Sequence, residues 1–378
     1  MNKNINICLF TFVFLISMKC KRYLPPEQLQ EFLSQFDTVT KNIGFSVQNR
    51  PIKMLEIGSG PYKILIWSQM HGNESTTTKA LLDLIPWFIN VNQDKLHSSF
   101  TLYIIPQLNP DGSLLYTRNN ANNIDLNRDA IKMSQPESKA LKFIYEKIKP
   151  NLCLNLHGQQ TIYSAGKEGK SAILSFLAPA ADLECSITPA RRRSMEIISR
   201  IVKSLEKEIL GSIGRYDETF NPNCVGDSFT QSGTPTILFE AGHVPDDYQR
   251  EKTRLYIFEA FKALFISILQ PNQAFKSKDY LSIPNNEIEF CDLILSGVNI
   301  LVDGNEIKNQ KIAIQYRETL IKDSIHFLPE MRAYGTELDL RAHKYTKLPA
   351  SMQTSKIEFK DKELIKNRAI INLLSLTS

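Results

Sequence analysis

His71-Gly72-Asn73-Glu74 sets an imidazole and a carboxylate two residues apart, and Asn155-Leu156-His157-Gly158 brings a second imidazole from far downstream. Two neutral imidazoles and one carboxylate form a zinc donor set, and a catalytic zinc keeps its fourth position for water. In a loop, His71 and Glu74 can chelate one ion from a single turn while His157 closes the set from another strand. Glu240 ends the β-rich run Thr234 to Phe239, so its carboxylate lies deep and needs a partner. Beside an acidified water it could act as general base; the bland alternative is a strand-end salt bridge. Arg128 offers a planar fork that matches a carboxylate, or else an ordinary ion pair with Asp125 or Asp129.

The elements that must hold these groups alternate. Strands are expected at Ile64–Met70, Thr101–Pro106, Asn151–Leu156 and Thr234–Phe239. Helices are expected near Pro26–Phe36, Ser75–Asn90, Gln135–Lys149, Ser194–Leu210 and Asp246–Leu269. Ser134 and Glu137 are spaced as a capping box, with Pro136 in the first turn. This alternation implies an α/β fold: a mainly parallel mixed sheet flanked by helices. His71 then stands just past a strand's carboxyl end, where open α/β sheets place their sites.

Between the two halves of the donor set lie Asn109-Pro110-Asp111-Gly112, Arg118 and Asp125-Leu126-Asn127-Arg128. With H-x-x-E, a later His and a late Glu, the series resembles the zinc carboxypeptidase family in every element and in order, from roughly Tyr23 to Leu269. The resemblance implies one zinc ion on His71, Glu74 and His157, and Glu240 as general base. It also implies Arg118 on the scissile carbonyl and its oxyanion, and Asn127 with Arg128 on the substrate's terminal carboxylate. The family's mobile substrate tyrosine has two candidates, Tyr163 and Tyr216. Asp111 and Asp125 read as loop supports. The implied activity is removal of a carboxy-terminal residue from a peptide with a free carboxylate. Murein-peptide amidases and acyl-amino-acid deacylases of the same superfamily are the nearest alternatives; an inactive relative that binds peptide ends is the alternative of another class.

Other features add less. His243 either lines the cleft or orients a partner, while His97, His326 and His343 suit surface or packing roles. Arg191-Arg192-Arg193 reads as a solvated helix end. The 378 residues carry a net charge of +5, with 42% hydrophobic and 22% charged residues, an ordinary globular balance that points to no polyanionic partner and no nucleic acid. Six cysteines show no paired spacing and no disulfide framework. The apolar run Ile5 to Met18 within residues 1–22 has signal-peptide length, and favours export to the periplasm or cell envelope over a cytoplasmic location. Asn272 to Asn286 reads as a linker between a catalytic domain (residues 23–272) and a small β-rich domain (residues 287–378), with a hairpin turn at Asp303-Gly304. Because every matched motif precedes Leu269, that second domain is expected outside the catalytic machinery.

Overall fold

The computed structural model describes residues 22–90, 94–270, 277–302, 305–348, 356–360, 363–364 and 376–377. The N-terminal apolar segment and the Asp303-Gly304 turn lie outside the described residues. Among the described residues, no helix is long and apolar enough to cross a membrane.

The main sheet has eight strands: β1 (Thr40–Phe45), β2 (Pro51–Gly58), β3 (Tyr62–Ser68), β4 (Phe100–Ile105), β5 (Leu152–Gly158), β7 (Leu174–Leu177), β8 (Ile213–Arg215) and β9 (Thr236–Ala241), in the order β1-β2-β4-β3-β5-β9-β7-β8. The centre, β4-β3-β5-β9, is parallel. Its strands are near-continuous apolar runs such as Ile64-Leu65-Ile66-Trp67 because helices cover both faces. The β1–β2 hairpin, β7 and β8 were not expected. They are short or mixed in polarity, and β1, β2 and β7 make the edges partly antiparallel.

On one face, α2 (Ser75–Asn90), α4 (Pro189–Leu205) and α6 (Glu251–Leu269) bury a large core that includes Phe88, Ile198 and Phe265. On the other, α3 (Pro136–Ile148) and α5 (Val225–Gln231) pack Leu141, Ile144 and Phe229 against Leu65, Trp67 and Cys153; α1 (Pro26–Ser34) precedes them in the chain.

Two local expectations change. The capping box does not form: Gln135 is the N-cap of α3, Ser134 donates instead to Asp129, and Glu137 accepts from the Val47 N–H at 3.1 Å. The arginine triplet is a solvated helix end only in part, Arg192 being exposed. It lies inside α4, which Thr188 caps, and Arg191 is buried with its guanidinium on the carbonyl oxygen of Ala178 and on Glu218.

Of the expected linker, the described residues 277–286 pack against the first sheet's domain. Residues 277–281 form a short helix whose Tyr280 hydroxyl accepts from the Ala178 N–H, and β10 (Asn286–Ile288) pairs with β6 (Tyr163–Ala165). A second sheet follows, built on β11 (Phe290–Val302), β12 (Asn305–Ile321), β13 (Ser324–Gly335) and β14 (Arg341–Lys347), with shorter strands at 356–360, 363–364 and 376–377. In the β11–β12 ladder Val302 pairs with Asn305.

This sheet is fastened to the first by buried charge. Arg22 donates to Glu318 of β12 at 3.1 Å and to the Thr76 hydroxyl at 2.7 Å, and the Tyr116 hydroxyl donates to the same carboxylate. Burial alone would weaken the Arg22 charge; Glu318 and Tyr116 more than restore it. Removing one partner of such a pair leaves the other charged and desolvated, at a cost of about 3–5 kcal/mol. Glu318→Ala is therefore expected to lower stability by about 3 kcal/mol in urea denaturation, Glu318 being partly exposed. An unchanged midpoint would make the contact incidental.

Candidate metal centre and cleft

The two loops that carry the donor set brace each other. After β3 the chain turns through Gln69, whose positive φ of 48° lets its backbone carbonyl accept from Asn109 at 3.0 Å. The Asn109 side chain closes its own turn by accepting from Gly112 N–H, and donates to the Met70 carbonyl at 3.1 Å. Gly72 rests directly on the Gly112 backbone: a Cβ there would stand 2.0 Å from the Gly112 carbonyl carbon. H-G-N-E and N-P-D-G are thus two halves of one contact. Asp111 supports the β1–β2 turn through Ser46, Gln48 and Arg50, as expected of a loop support.

On this base the donor atoms converge. His71 Nδ1 lies 2.9 Å from Glu74 Oε1, and His157 Nδ1 lies 3.0 Å from Glu74 Oε2 and 3.1 Å from His71 Nδ1. All three residues are buried, and among the described residues they form the one such group able to hold a metal. Two imidazole nitrogens facing each other over a carboxylate fit a cation better than a hydrogen-bond network. Edges of about 3 Å are what ligands about 2.0–2.2 Å from one ion would span. Burial would raise the Glu74 pKa, but His71 and then His157 hold it below the usual carboxylate range.

Asp125 is the expected loop support, its Oδ1 accepting from the Asn127 N–H at 2.8 Å, and it makes further contacts. Its Oδ1 lies 2.9 Å from His71 Nε2, and its Oδ2 accepts from Arg118 Nε and Nη2 at 3.1 and 3.0 Å. An ionised carboxylate only accepts, so Nε2 carries the proton and the Nδ1 lone pair is turned toward the metal position. Asp125 is a positioning residue, and more than a loop support.

Strand register places the remaining groups. In the parallel β5–β9 pair, His157 stands beside Glu240, and two residues earlier Asn155 stands beside Leu238. All four line one cleft of about 1000 Å³ with Arg118, Asn127, Arg128, Tyr163 and Tyr216. Glu240 is 6% exposed and its Oε2 has no protein partner, so the salt-bridge alternative fails. Burial first, and then the charge of Glu74, push its pKa well above the carboxylate range. Arg118 is half-exposed and also lies 3.6 Å from Glu74. Arg128 pairs with neither Asp125 nor Asp129; its Nη1 donates to the Asn127 carbonyl and to Cys224 Sγ. Asn127 Oδ1 accepts from Val225 N–H at the start of α5, which leaves its NH₂ group for a ligand. The Tyr163 and Tyr216 hydroxyls lie 3.4 Å apart.

His243 is buried away from the cleft, its ring against His343 and Tyr248, which settles it as packing between the two sheets. His97 packs on Phe88. The second sheet, expected outside the catalytic part, supplies a cleft wall: Gln315, Tyr316, Arg317, Glu318 and Glu330. Nothing local in the sequence signals this, since these residues meet the site only through long-range packing.

The fold and donor set are those of a hydrolase of the carboxypeptidase kind. The family model for the zinc carboxypeptidases matches residues 26–221, just over half of the chain, which therefore belongs to that family, whose metal is zinc. Carboxypeptidase SOL1 of Arabidopsis thaliana is 31% identical over 153 residues, 34% of this chain and 31% of the relative; the chain thus spans about a third of that protein's length. The metallo-carboxypeptidase of Burkholderia cenocepacia shares the fold at a TM-score of 0.53 and 18% identity, over 66% of this chain and 71% of its own. Carboxypeptidase A of Helicoverpa armigera does so at 0.51 and 18%, over 64% and 72%.

If Asp125 orients His71, Asp125→Asn is expected to weaken zinc binding about 10–100-fold, measured by competition with a chromophoric chelator. His157→Ala and Glu74→Ala should lose most of the metal while staying folded. Full zinc content in either alanine variant would remove that residue from the ligand set.

Proposed function

We propose that this chain is a zinc-dependent metallocarboxypeptidase that hydrolyses the last peptide bond of a substrate with a free carboxylate. The observation that carries the reading is the register of β5 and β9, which sets the partnerless Glu240 carboxylate beside the ligand His157 at the floor of a cleft whose lining includes Arg118 and Arg128. Zinc, held by His71, Glu74 and His157, would supply a Lewis acid and an acidified water.

The chain's own groups supply the rest. Glu240, whose carboxylate burial makes more basic, is suited to take a proton and return it to the leaving nitrogen. Arg118, on the exposed side of Asp125, is placed to swing onto a carbonyl oxygen that gains charge. Arg128 and the Asn127 NH₂ group provide convergent donors for a terminal carboxylate, whose lost hydration only such partners replace. The catalytic unit on this reading is residues 23–272, with the sheet of residues 287–378 as an accessory unit that walls the cleft.

Glu240→Gln keeps shape but cannot accept a proton. It is expected to retain zinc and lower kcat about 10²–10⁴-fold; near-normal turnover would sink the assignment. Amidating the substrate's end should cost about 10²–10³-fold in kcat/KM by leaving the guanidinium unpaired, a penalty of a few kcal/mol. Arg128→Ala should shrink that difference, and Arg118→Ala should slow both substrates. Equal cleavage of free and amidated peptides would favour the deacylase or amidase reading.

A further inference from the structure

One pleat behind the metal ligands the cleft holds a polar group that the proposed chemistry does not use. Side chains two residues apart on a strand share a face, so Asn155 and Leu238 form the layer directly beneath His157 and Glu240. Asn155 is 1% exposed, and neither its Oδ1 nor its Nδ2 has a protein partner. A buried amide left in that state is costly. Such groups in native structures call for an explanation, and here the site faces a cleft.

The surroundings leave the buried amide without a protein partner. Leu177, Pro179 and Leu238 are apolar cleft walls and offer it nothing. Gly226, at the start of α5, covers it without a side chain. A Cβ there would stand 3.0 Å from Pro179 Cγ and 3.9 Å from Asn155 Nδ2, in the space above the amide. Asp227 is also on the lining, but it is engaged. It accepts from the backbone N–H groups of Asn221 and Ala180 and from the Cys224 thiol.

We propose that Asn155 is the specificity residue of this cleft, selecting substrates whose terminal side chain carries a donor and an acceptor together, a carboxamide or a hydroxyl. The proposal rests on the carboxypeptidase reading for its orientation: with the terminal carboxylate at Arg128, the terminal side chain points into this pocket. Glutamine or asparagine would pair both halves of the Asn155 amide. An apolar side chain would leave both unpaired, and lysine would use the oxygen but strand the NH₂ group. A site built around such pairing discriminates against analogues that lack it far more strongly than an apolar pocket discriminates by size.

The test compares N-acyl dipeptides ending in glutamine, methionine, asparagine, leucine and lysine on the zinc-loaded protein. It is joined to calorimetric binding of the free amino acids glutamine, methionine and lysine. Glutamine is expected to exceed methionine at least about 100-fold in kcat/KM. Asn155→Leu, close in volume, should abolish that ratio with zinc content retained. Asn155→Asp, which keeps shape but only accepts, should shift preference to lysine. Wild-type preference for methionine, leucine or lysine, or a glutamine preference that survives Asn155→Leu, overturns the proposal. If no dipeptide is cleaved yet glutamine binds over methionine in an Asn155-dependent manner, the subsite stands and the carboxypeptidase reading falls. If neither turnover nor binding discriminates, the subsite is refuted.

Discussion

The parallel pairing of β5 with β9 is the constraint on which the site depends. A one-residue slip in either strand would turn its inward side chains to the opposite face. With the register observed, His157 and Glu240 share one layer, and Asn155 and Leu238 the next. Four groups with different tasks are therefore placed by one set of backbone hydrogen bonds. The flanking helices enforce it, because α4 and α6 on one face and α3 and α5 on the other leave the strands no freedom to exchange faces.

Around that pair the protein concentrates charge in a dry interior and offsets it residue by residue. Glu74 keeps its charge through two histidines, Asp125 through His71 and Arg118, and Glu318 through Arg22. Glu240 alone among these carboxylates lacks a balancing neighbour of comparable strength, and its pKa rises accordingly. Neighbouring carboxylates in one cleft are thus driven apart, one held ionised and one pushed toward the neutral form.

Much of this was legible in the sequence. The apolar runs that became β3, β4, β5 and β9 announced themselves because strands buried on both faces need little else. The His71–Glu74 pair was readable because its spacing is local, whereas His157 lies 83 residues beyond Glu74 and was tied to them only through the order of the motifs. Asp125 read as a loop support, which it is through the Asn127 N–H; its second contact, 2.9 Å from His71 Nε2, had no local signature because the two residues are 54 apart in the chain. Ser134 and Glu137 had the spacing of a capping box, but Asp129 and Val47 competed successfully for them. Short edge strands such as β8 carry too few residues for any period to show. The contribution of β12 to the cleft had no local signature, since Glu318 finds Arg22 only in three dimensions.

That contact bears on the order of events during synthesis. Glu318 follows Arg22 by 296 residues. At the roughly 5–20 residues per second of translation, about 15–60 s separate the appearance of the guanidinium from that of its carboxylate. In that interval the ligand loops and the β5–β9 pair can already exist, yet the start of α2 beside Glu74 is held by an arginine whose counter-charge has not been made. A nascent chain thus acquires its metal ligands well before it acquires the wall that encloses them. A hydrolase assembled in that order stays open-sided until its last sheet is in place.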